Sequence, residues 1–388
     1  VMRWVALLWF LGFGMGGASE PDLSGEVLVQ LFTQEVQEAW FSEDFLAQVP
    51  VGQVEAILAQ LGAQLGAFQG VRPVEPGRYL VVFEKGYVPA RIGLDARGRI
   101  ASLFFEPPVV RLPSLKAAQE AFRALPGQVG LWVEKNGQEV LALNPESPLA
   151  VASAFKLMVL ALVLEEVEAS RWRWDQVVRL QESWKSLPSG ILQNWPAQSP
   201  LTLHTLAALM ISLSDNTAAD ALMHLLGRER LEAHAPQNRP FLTTREAFQL
   251  AAGANQDLLQ AYREGGLEVR RQVLERLRER PLPRVGDLPL DPARWPQEAD
   301  WHFAPRELCA WMGRVADLLL LGINPGLTLS GWDSIAFKGG SRPGVLSLVH
   351  ALKRGDDRYC VAFVWNNPQG VETLQALTLY GGLLDLLP

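Results

Sequence analysis

Several signals of common protein classes are scarce in this sequence. Only two of its 388 residues are cysteine and five are histidine, without Cys-x-x-Cys or histidines at metal-ligand spacing. The formal net charge of −7 argues against nucleic acid as the main partner. No Gly-rich phosphate loop of the nucleotide-binding type occurs either. We therefore expect no metal, no cofactor and no nucleic-acid partner.

Long apolar runs are missing after the first eighteen residues, where no stretch reaches the roughly 18 apolar residues of a spanning helix. Residues 1–18 form the pattern of an export signal: Arg3, an apolar run from Trp4 to Gly14, and small residues up to Ala18. An uncleaved membrane anchor would begin in the same way. We expect cleavage, and hence a secreted or periplasmic protein with no stable membrane insertion.

The two cysteines, Cys309 and Cys360, lie in the apolar contexts LCAWM and YCVAF. One disulfide in an oxidising compartment is compatible with these contexts. Two buried, unpaired thiols are equally compatible, and the sequence leaves both possibilities open.

A hydrophobic content of 48% and a length of 388 residues predict a globular protein with two domains. Residues 24–68 have helical periodicity, and short β-type runs follow at Tyr79–Phe83, Val88–Leu94 and Ile100–Phe105. Helices followed by an antiparallel meander resemble the NTF2-like fold, of the cystatin and steroid-isomerase type. The resemblance implies an NTF2-like domain over residues 19–108, and Pro107-Pro108 indicates a linker after it.

A second domain is predicted over residues 113–388. Asn136-Gly137 between two β-type runs is a strong hairpin signal, and three further strands follow a helix predicted over Glu307–Leu321. Helical patterns occupy most of the sequence between the hairpin and these strands. The exceptions are residues 228–266, whose pattern is mixed with a helix predicted over Thr244–Ala252, and the Pro-rich residues 282–305. The predicted fold class is mixed α/β (α+β), with an antiparallel sheet flanked by helices.

One stretch of this domain, Leu149–Glu168, predicts a helix that is apolar all round and therefore buried. Ser153 and Lys156 lie three residues apart near its start, so on a helix their side chains share a face. A hydroxyl beside a buried amine, at a helix N-terminus that favours negative charge, is a plausible nucleophile and base.

Three short motifs follow one another in the chain: Ser153-x-x-Lys156, Ser214-Asp215-Asn216 and Lys338-Gly339-Gly340. Each one alone is weak, but their order and their placement on a helix, a turn and a strand agree with one another. By these motifs residues 113–388 resemble the class A β-lactamase-like serine hydrolases. Subgroups of that family carry a small preceding domain of the kind expected for residues 19–108.

The resemblance implies a role for each matched residue. The implied catalytic residues are Ser153 as nucleophile, Lys156 as its base, Ser214 as proton relay and Lys338 as a second positive charge. The implied substrate-binding residues are Asn216, Gly339, Gly340 and Ser341. Asp215 is expected to brace its turn through backbone hydrogen bonds.

Two departures from the family pattern limit the expected chemistry. Gly339 stands where the family usually has Thr or Ser, so one carboxylate-binding hydroxyl is missing; Ser341 or Arg342 could compensate. No Glu is followed four residues later by Asn before Thr243-Thr244, and Glu232 and Asn238 have the wrong spacing. The family's deacylation base is therefore not found, and the acyl-enzyme is expected to be released slowly.

The expected activity is acylation of Ser153 by a β-lactam or a related amide or ester, followed by hydrolysis. One alternative is a peptidoglycan peptidase or esterase, and another is a penicillin-binding sensor without turnover. Trp184 and Trp195 could line the mouth of the cleft, although packing explains them better.

Overall fold

The computed structural model describes residues 23–387 and divides the chain into two compact units at Pro108 and Val109. The first unit is a set of helices followed by a sheet. The second is an antiparallel sheet between helices. The predicted mixed α/β fold class is confirmed. The predicted signal peptide, residues 1–18, lies outside the described residues.

Within its described residues, 23–108, the first unit has three helices followed by four strands in the antiparallel order β1-β2-β3-β4. The helices are α1 Leu23–Thr33, α2 Glu43–Leu46 and α3 Val51–Leu65. The strands are β1 Phe68–Glu75, β2 Arg78–Phe83, β3 Gly86–Leu94 and β4 Ile100–Phe105. Helix α1 packs on the sheet through Phe32, whose ring stacks on that of Phe68 with 5.2 Å between the centroids.

The second unit contains helices of moderate length and ten strands, five of which form its main sheet. The helices are α4 Leu115–Arg123, α5 Lys156–Glu168, α6 Leu203–Ser212, α7 Asn216–Leu226, α8 Arg228–His234, α9 Thr244–Ala251, α10 Gln256–Glu264, α11 Leu267–Arg278, α12 Pro305–Val315 and α13 Thr373–Asp385. The short strands are β5 Val109–Val110, β8 Leu149–Ala150, β9 Val177–Arg179, β10 Pro200–Thr202 and β11 His302–Phe303. The long strands are β6 Gln128–Lys135, β7 Gln138–Leu143, β12 Ser334–Arg342, β13 Val345–Arg354 and β14 Asp357–Asn366.

The main sheet has the order β12-β13-β14-β6-β7, with every neighbouring pair antiparallel. Alternate residues of β14 point to opposite faces. Val361 and Phe363 enter the core shared with α4 and α13, whereas Cys360 and Ala362 enter the core shared with α5 and α12. The sheet is therefore buried on both faces, and β12 is one of its edges.

The two cysteines form a disulfide between α12 and β14, with Cα atoms 5.8 Å apart. Both residues are buried, Cys309 at 1% and Cys360 at 5% exposure. Of the two possibilities left open by the sequence, the structure contains the disulfide.

The predicted buried helix is present, with Lys156 to Val163 buried without interruption. Its start differs from the expectation. Ser153 lies in a 3₁₀ turn, Ala152–Phe155, and the α-helix begins at Lys156. The reason is local, because Ala152 adopts a left-handed φ of 44° that an α-helix cannot contain.

Other boundaries differ where the sequence signals are weak. The helix expected over Glu307–Leu321 ends at Val315 and gives way to a 3₁₀ turn, Leu319–Gly322. Helices α8 and α10 lie within residues 228–266, where the sequence has no clear helical or strand periodicity outside residues 244–252. No helix between residues 23 and 387 combines the length and apolar content needed to cross a bilayer.

Candidate active site

The three sequence motifs converge on one cleft of about 600 Å³ in the second unit. The motif residues that line it are Ser153, Ser214, Asn216, Lys338, Gly339, Gly340 and Ser341. Lys156 lies behind them with no exposure to solvent. The structure thus brings together all eight residues singled out from the sequence.

Ser153 is half-buried and sits on the tight turn that precedes α5. Asp300 holds this turn in place, because its Oδ1 accepts a hydrogen bond from the Ala152 N–H at 3.0 Å. Within residues 23–387 the hydroxyl of Ser153 has no hydrogen-bond partner, so it is free to face a substrate in the cleft.

Lys156 projects its amine from the first turn of α5 towards the second motif. Its Nζ donates to the Ser214 carbonyl oxygen and to Asn216 Oδ1, each at 2.6 Å, and lies 3.3 Å from Ser214 Oγ. Burial lowers the pKa of Lys156 to about 7, although the charges of Asp220 and Asp215 act to raise it. The amine is therefore poised to accept a proton near neutral pH.

Lys338 approaches the same hydroxyl from the sheet. Its Nζ donates to Ser214 Oγ at 3.0 Å and also to the carbonyl oxygen of Gly339. Lys338 is 2% exposed. Burial, and next the positive charge of Lys156, hold the pKa of Lys338 well below its usual range. Ser214 Oγ thus lies between two amines and can pass a proton between them.

The turn that carries Ser214 is braced from several directions. Ser214 has a left-handed φ of 54°, which costs a non-glycine residue energy and needs support. Asp215 supplies that support, since its carboxylate accepts from the backbone N–H groups of Ile191, Leu192 and Ala218 at 2.7–2.9 Å. Asp215 therefore braces the turn, as the sequence suggested.

Gly340 allows β12 to pass very close to the turn of Ser153. A Cβ atom at position 340 would lie 2.4 Å from the Val151 carbonyl oxygen and 2.5 Å from the Ser153 nitrogen. Glycine is needed here for close backbone approach rather than for a special φ. The backbone nitrogen of Ser153 thus lies against Gly340, and the next residue of β12, Ser341, lines the cleft.

The two residues near the expected position of a deacylation base have other partners. Glu232 is buried and pairs with Arg271 at 2.5 Å, and its Oε1 accepts from the Phe241 N–H. Asn238 is bonded to the backbone of His302 through both ends of its amide. Neither side chain lines the cleft in the part of the chain that the structure describes.

Asp300 is the one carboxylate among the described residues that line the cleft, and sequence reasoning missed it. Besides the Ala152 N–H, it accepts from the Trp301 N–H at 2.7 Å and pairs with Arg342 through Oδ2. The negative charge of Asp300 is thus paired with the positive charge of Arg342. Arg342 is therefore tied to Asp300 rather than free to bind a substrate carboxylate.

Trp295 and Trp301 line the cleft, whereas Trp184 and Trp195 do not. Trp184 packs against the hydrophobic core, which agrees with the preferred expectation from the sequence. Trp301 stacks on Phe155 with 3.9 Å between the ring centroids. No group of three or more His, Cys, Asp or Glu within residues 23–387 is arranged to hold a metal ion.

Comparison with known proteins gives one family match. Residues 114–255 match the model of the Beta-lactamase enzyme family, a stretch that holds the first two motifs and stops before Lys338. No curated protein matches the sequence.

Three solved structures illustrate the structural likenesses. The beta-lactamase from Sphaerobacter thermophilus has 19% identity and a TM-score of 0.49, covering 70% of this chain and 94% of that one. The beta-lactamase from Desulfarculus baarsii has 18% identity and a TM-score of 0.49, with coverage of 70% and 97%. The structure of PBP-A has 18% identity and a TM-score of 0.46, with coverage of 72% and 99%. Over the segment that carries Ser153, Lys156 and Ser214, this chain is similar to the Beta-lactamase enzyme family.

Proposed function

We propose that this protein is a serine hydrolase of the β-lactamase or penicillin-binding type that is acylated at Ser153. The observation that carries the proposal is the hydrogen-bonded row from Lys156 through Ser214 to Lys338, next to a free serine hydroxyl in a cleft. A nucleophile, a neutral amine and a relay hydroxyl are the parts that acyl transfer requires.

Acylation can be written with these groups alone. The Ser153 Oγ attacks the carbonyl carbon of a β-lactam, ester or amide while its proton passes to Lys156. The bond from the carbonyl carbon to the leaving nitrogen or oxygen then breaks. Ser214 delivers a proton to that leaving atom, and Lys156 Nζ at 3.3 Å and Lys338 Nζ at 3.0 Å can restore it. The N–H groups of Ser153 and Ser341 would stabilise the oxyanion.

Among the described residues that line the cleft, no carboxylate is free to act as a base in deacylation. Asp300 is held by Ala152, Trp301 and Arg342, and Glu232 is held by Arg271. Hydrolysis of the acyl-enzyme would then depend on Lys156, and it would be slow. In a penicillin-binding sensor, the acyl-enzyme would persist for longer than the signalling that it triggers takes.

The peptidoglycan peptidase or esterase reading stays open as a second candidate. It is favoured by Gly339, which brings no hydroxyl to the place where the family binds a substrate carboxylate.

The remaining parts of the proposal concern the chain outside this site. Residues 1–18 would direct export to the periplasm or the medium, and residues 19–108 would form an NTF2-like domain.

Mixing the protein with a penicillin and measuring its intact mass tests the proposal. The mass should rise by that of the penicillin within the mixing time and fall back over many minutes, because acylation is equipped and hydrolysis is not. Ser153→Ala should show no increase. A chromogenic cephalosporin beside a simple ester then separates a β-lactamase from an esterase.

Two outcomes would refute acylation at Ser153. One is an unmodified wild-type protein after exposure to both a penicillin and an ester. The other is an adduct that persists in Ser153→Ala.

A further inference from the structure

One wall of the cleft beside Ser153 consists of apolar side chains. Its members come from α9 and from the Pro-rich segment, and we term them the apolar wall: Ala247, Phe248, Val285, Leu288, Leu290 and Trp295. Val285 is 52% exposed and Leu290 75% exposed. Large apolar side chains that stay open to water within a concave site indicate a surface that receives a ligand.

The apolar wall is preformed rather than loose. Five prolines in the segment fix the backbone φ on either side of Val285 and Leu290, at positions 281, 283, 289, 292 and 296. The segment also contains the 3₁₀ turns Val285–Asp287 and Pro292–Arg294. The ring of Trp295 meets that of Phe248 edge-to-face at 6.5 Å. Binding of a ligand here therefore requires little loss of conformational entropy from the wall.

The wall and the nucleophile share one cavity. Ser153, Phe155 and Trp301 line the same space of about 600 Å³ as Val285 and Leu290. An acyl group attached to Ser153 Oγ would therefore lie in the same cavity as the apolar wall.

No charged side chain belongs to the wall. The charged side chains lining the cleft in the described part of the chain are Lys338, Asp300 and Arg342. Asp300 and Arg342 pair with each other, and Lys338 is engaged by Ser214 and Gly339. A charged acyl group would lose hydration against this wall without gaining a partner, whereas an alkyl or aryl group would gain from burial.

We propose that the apolar wall receives the acyl part of the substrate, and that the preferred substrates carry a long apolar acyl group, such as hexanoyl or octanoyl, in place of a short or charged one. The inference rests on the proposed function, because it concerns the group that Ser153 would carry. It adds the chemical class of that group.

The p-nitrophenyl esters of butanoate, hexanoate and octanoate test the wall during acylation. Ser153 Oγ bonds to the ester carbonyl carbon, the carbon–oxygen bond to p-nitrophenolate breaks, and the serine proton passes to Lys156. The second-order rate constant for first-turnover p-nitrophenolate release should rise about twofold to fourfold per added methylene, since each one buries further apolar surface.

Variants of the wall decide where this gain arises. Leu290→Asp and Val285→Asp should flatten the dependence on chain length while butanoate still reacts. The matched control is Leu319→Asp, a leucine with 93% exposure that does not line the cleft, which should keep the wild-type slope. A flat slope in the wild type, an unchanged slope in both wall variants, or an equal loss in the control would each overturn the proposal.

Binding without chemistry separates this inference from the proposed function. In Ser153→Ala, hexanamide should quench the cleft tryptophans at lower concentration than propanamide, and Leu290→Asp should remove the difference. Equal binding of both amides would overturn the apolar wall even if Ser153 is acylated. If no ester acylates the wild type, the proposed function fails, while the preference for hexanamide would still support the wall.

Discussion

Lys156 lies fully buried between Ser214 and Asn216, and burial lowers the pKa of its amine to about 7. At an ordinary lysine pKa of about 10.4, only roughly one amine in 2,500 would be neutral at pH 7. Near a pKa of 7 about half are neutral, a gain of roughly a thousandfold or more in the neutral amine that can act as a base. Burial, and next the positive charge of Lys156, lowers the pKa of Lys338 as well.

This site predicts a definite pH dependence of acylation. In the proposed mechanism the base is the neutral amine of Lys156, so its active fraction is small below the pKa and nearly complete above it. The rate of Ser153 acylation should therefore rise through the region of pH 7 and level off above it, as measured by the first-turnover burst with a fixed ester.

Lys156→Arg provides the control for this profile. A guanidinium stays charged over the accessible range, so the variant should not be acylated at any pH. A wild-type rate that is flat between pH 5.5 and 9 would show that Lys156 is not the base.

Individual residues of the cleft differ in whether the sequence alone could predict them. Ser153 and Lys156 could be proposed from the sequence because they lie three residues apart on one helical turn, and Ser214 because it opens a short motif. Asp300 has no such signal. It acts on Ala152, 148 residues away in the chain, and only folding brings the two together.

At the level of elements, the start of α9 depends on a carboxylate from α7. Asp220 accepts from the backbone N–H groups of Thr244 at 2.7 Å and Arg245 at 2.9 Å, and from the Thr244 hydroxyl at 2.7 Å. These N–H groups belong to the first turn of α9, where a helix has no internal partners for them. Because α9 carries Phe248 of the apolar wall, Asp220 also helps to hold Phe248 in position.

Replacement of Asp220 should therefore be costly to stability. Asp220→Ala leaves several buried donors unpaired, and we expect the free energy of unfolding to fall by about 2–4 kcal/mol, as measured by urea denaturation.

The comparison variant is Glu229→Ala, at an exposed position on α8, which should change stability little. If the two variants lost the same small amount, the proposed support of α9 by Asp220 would be wrong.

Elements with strong local signals could be predicted, and those that depend on distant partners could not. Asn136-Gly137 gave the β6–β7 hairpin, since both residues adopt the positive φ that its turn needs. Strand β1 was missed because Gly70 and Pro73 are poor strand formers. It forms through pairing with β2, in a register that shifts at both of these places.

For the molecule as a whole, the disulfide is the one covalent link between helix and sheet layers within residues 23–387. Cys309 and Cys360 are separated by 51 residues in the chain. Closing a loop of this length restricts the unfolded chain and typically stabilises a protein by about 2–4 kcal/mol.

Replacement of both cysteines by alanine should lower the stability of the second unit by about this amount. Ten of the thirteen tryptophans lie after Pro108, so tryptophan fluorescence during urea denaturation reports mainly on this unit. Added reductant should shift the wild-type midpoint to lower urea and leave the double variant unchanged. A reductant effect of the same size on both proteins would exclude the disulfide as its cause.

The position of β12 at the edge of the main sheet has a consequence for solubility. An edge strand offers unpaired backbone groups to any other extended chain, and proteins avoid self-association by covering or recessing such edges. Residues 338–342 of β12 line the cleft together with Val285, Leu288 and Leu290 of the Pro-rich segment. This edge is therefore recessed in a concave site, an arrangement that disfavours pairing with a second sheet.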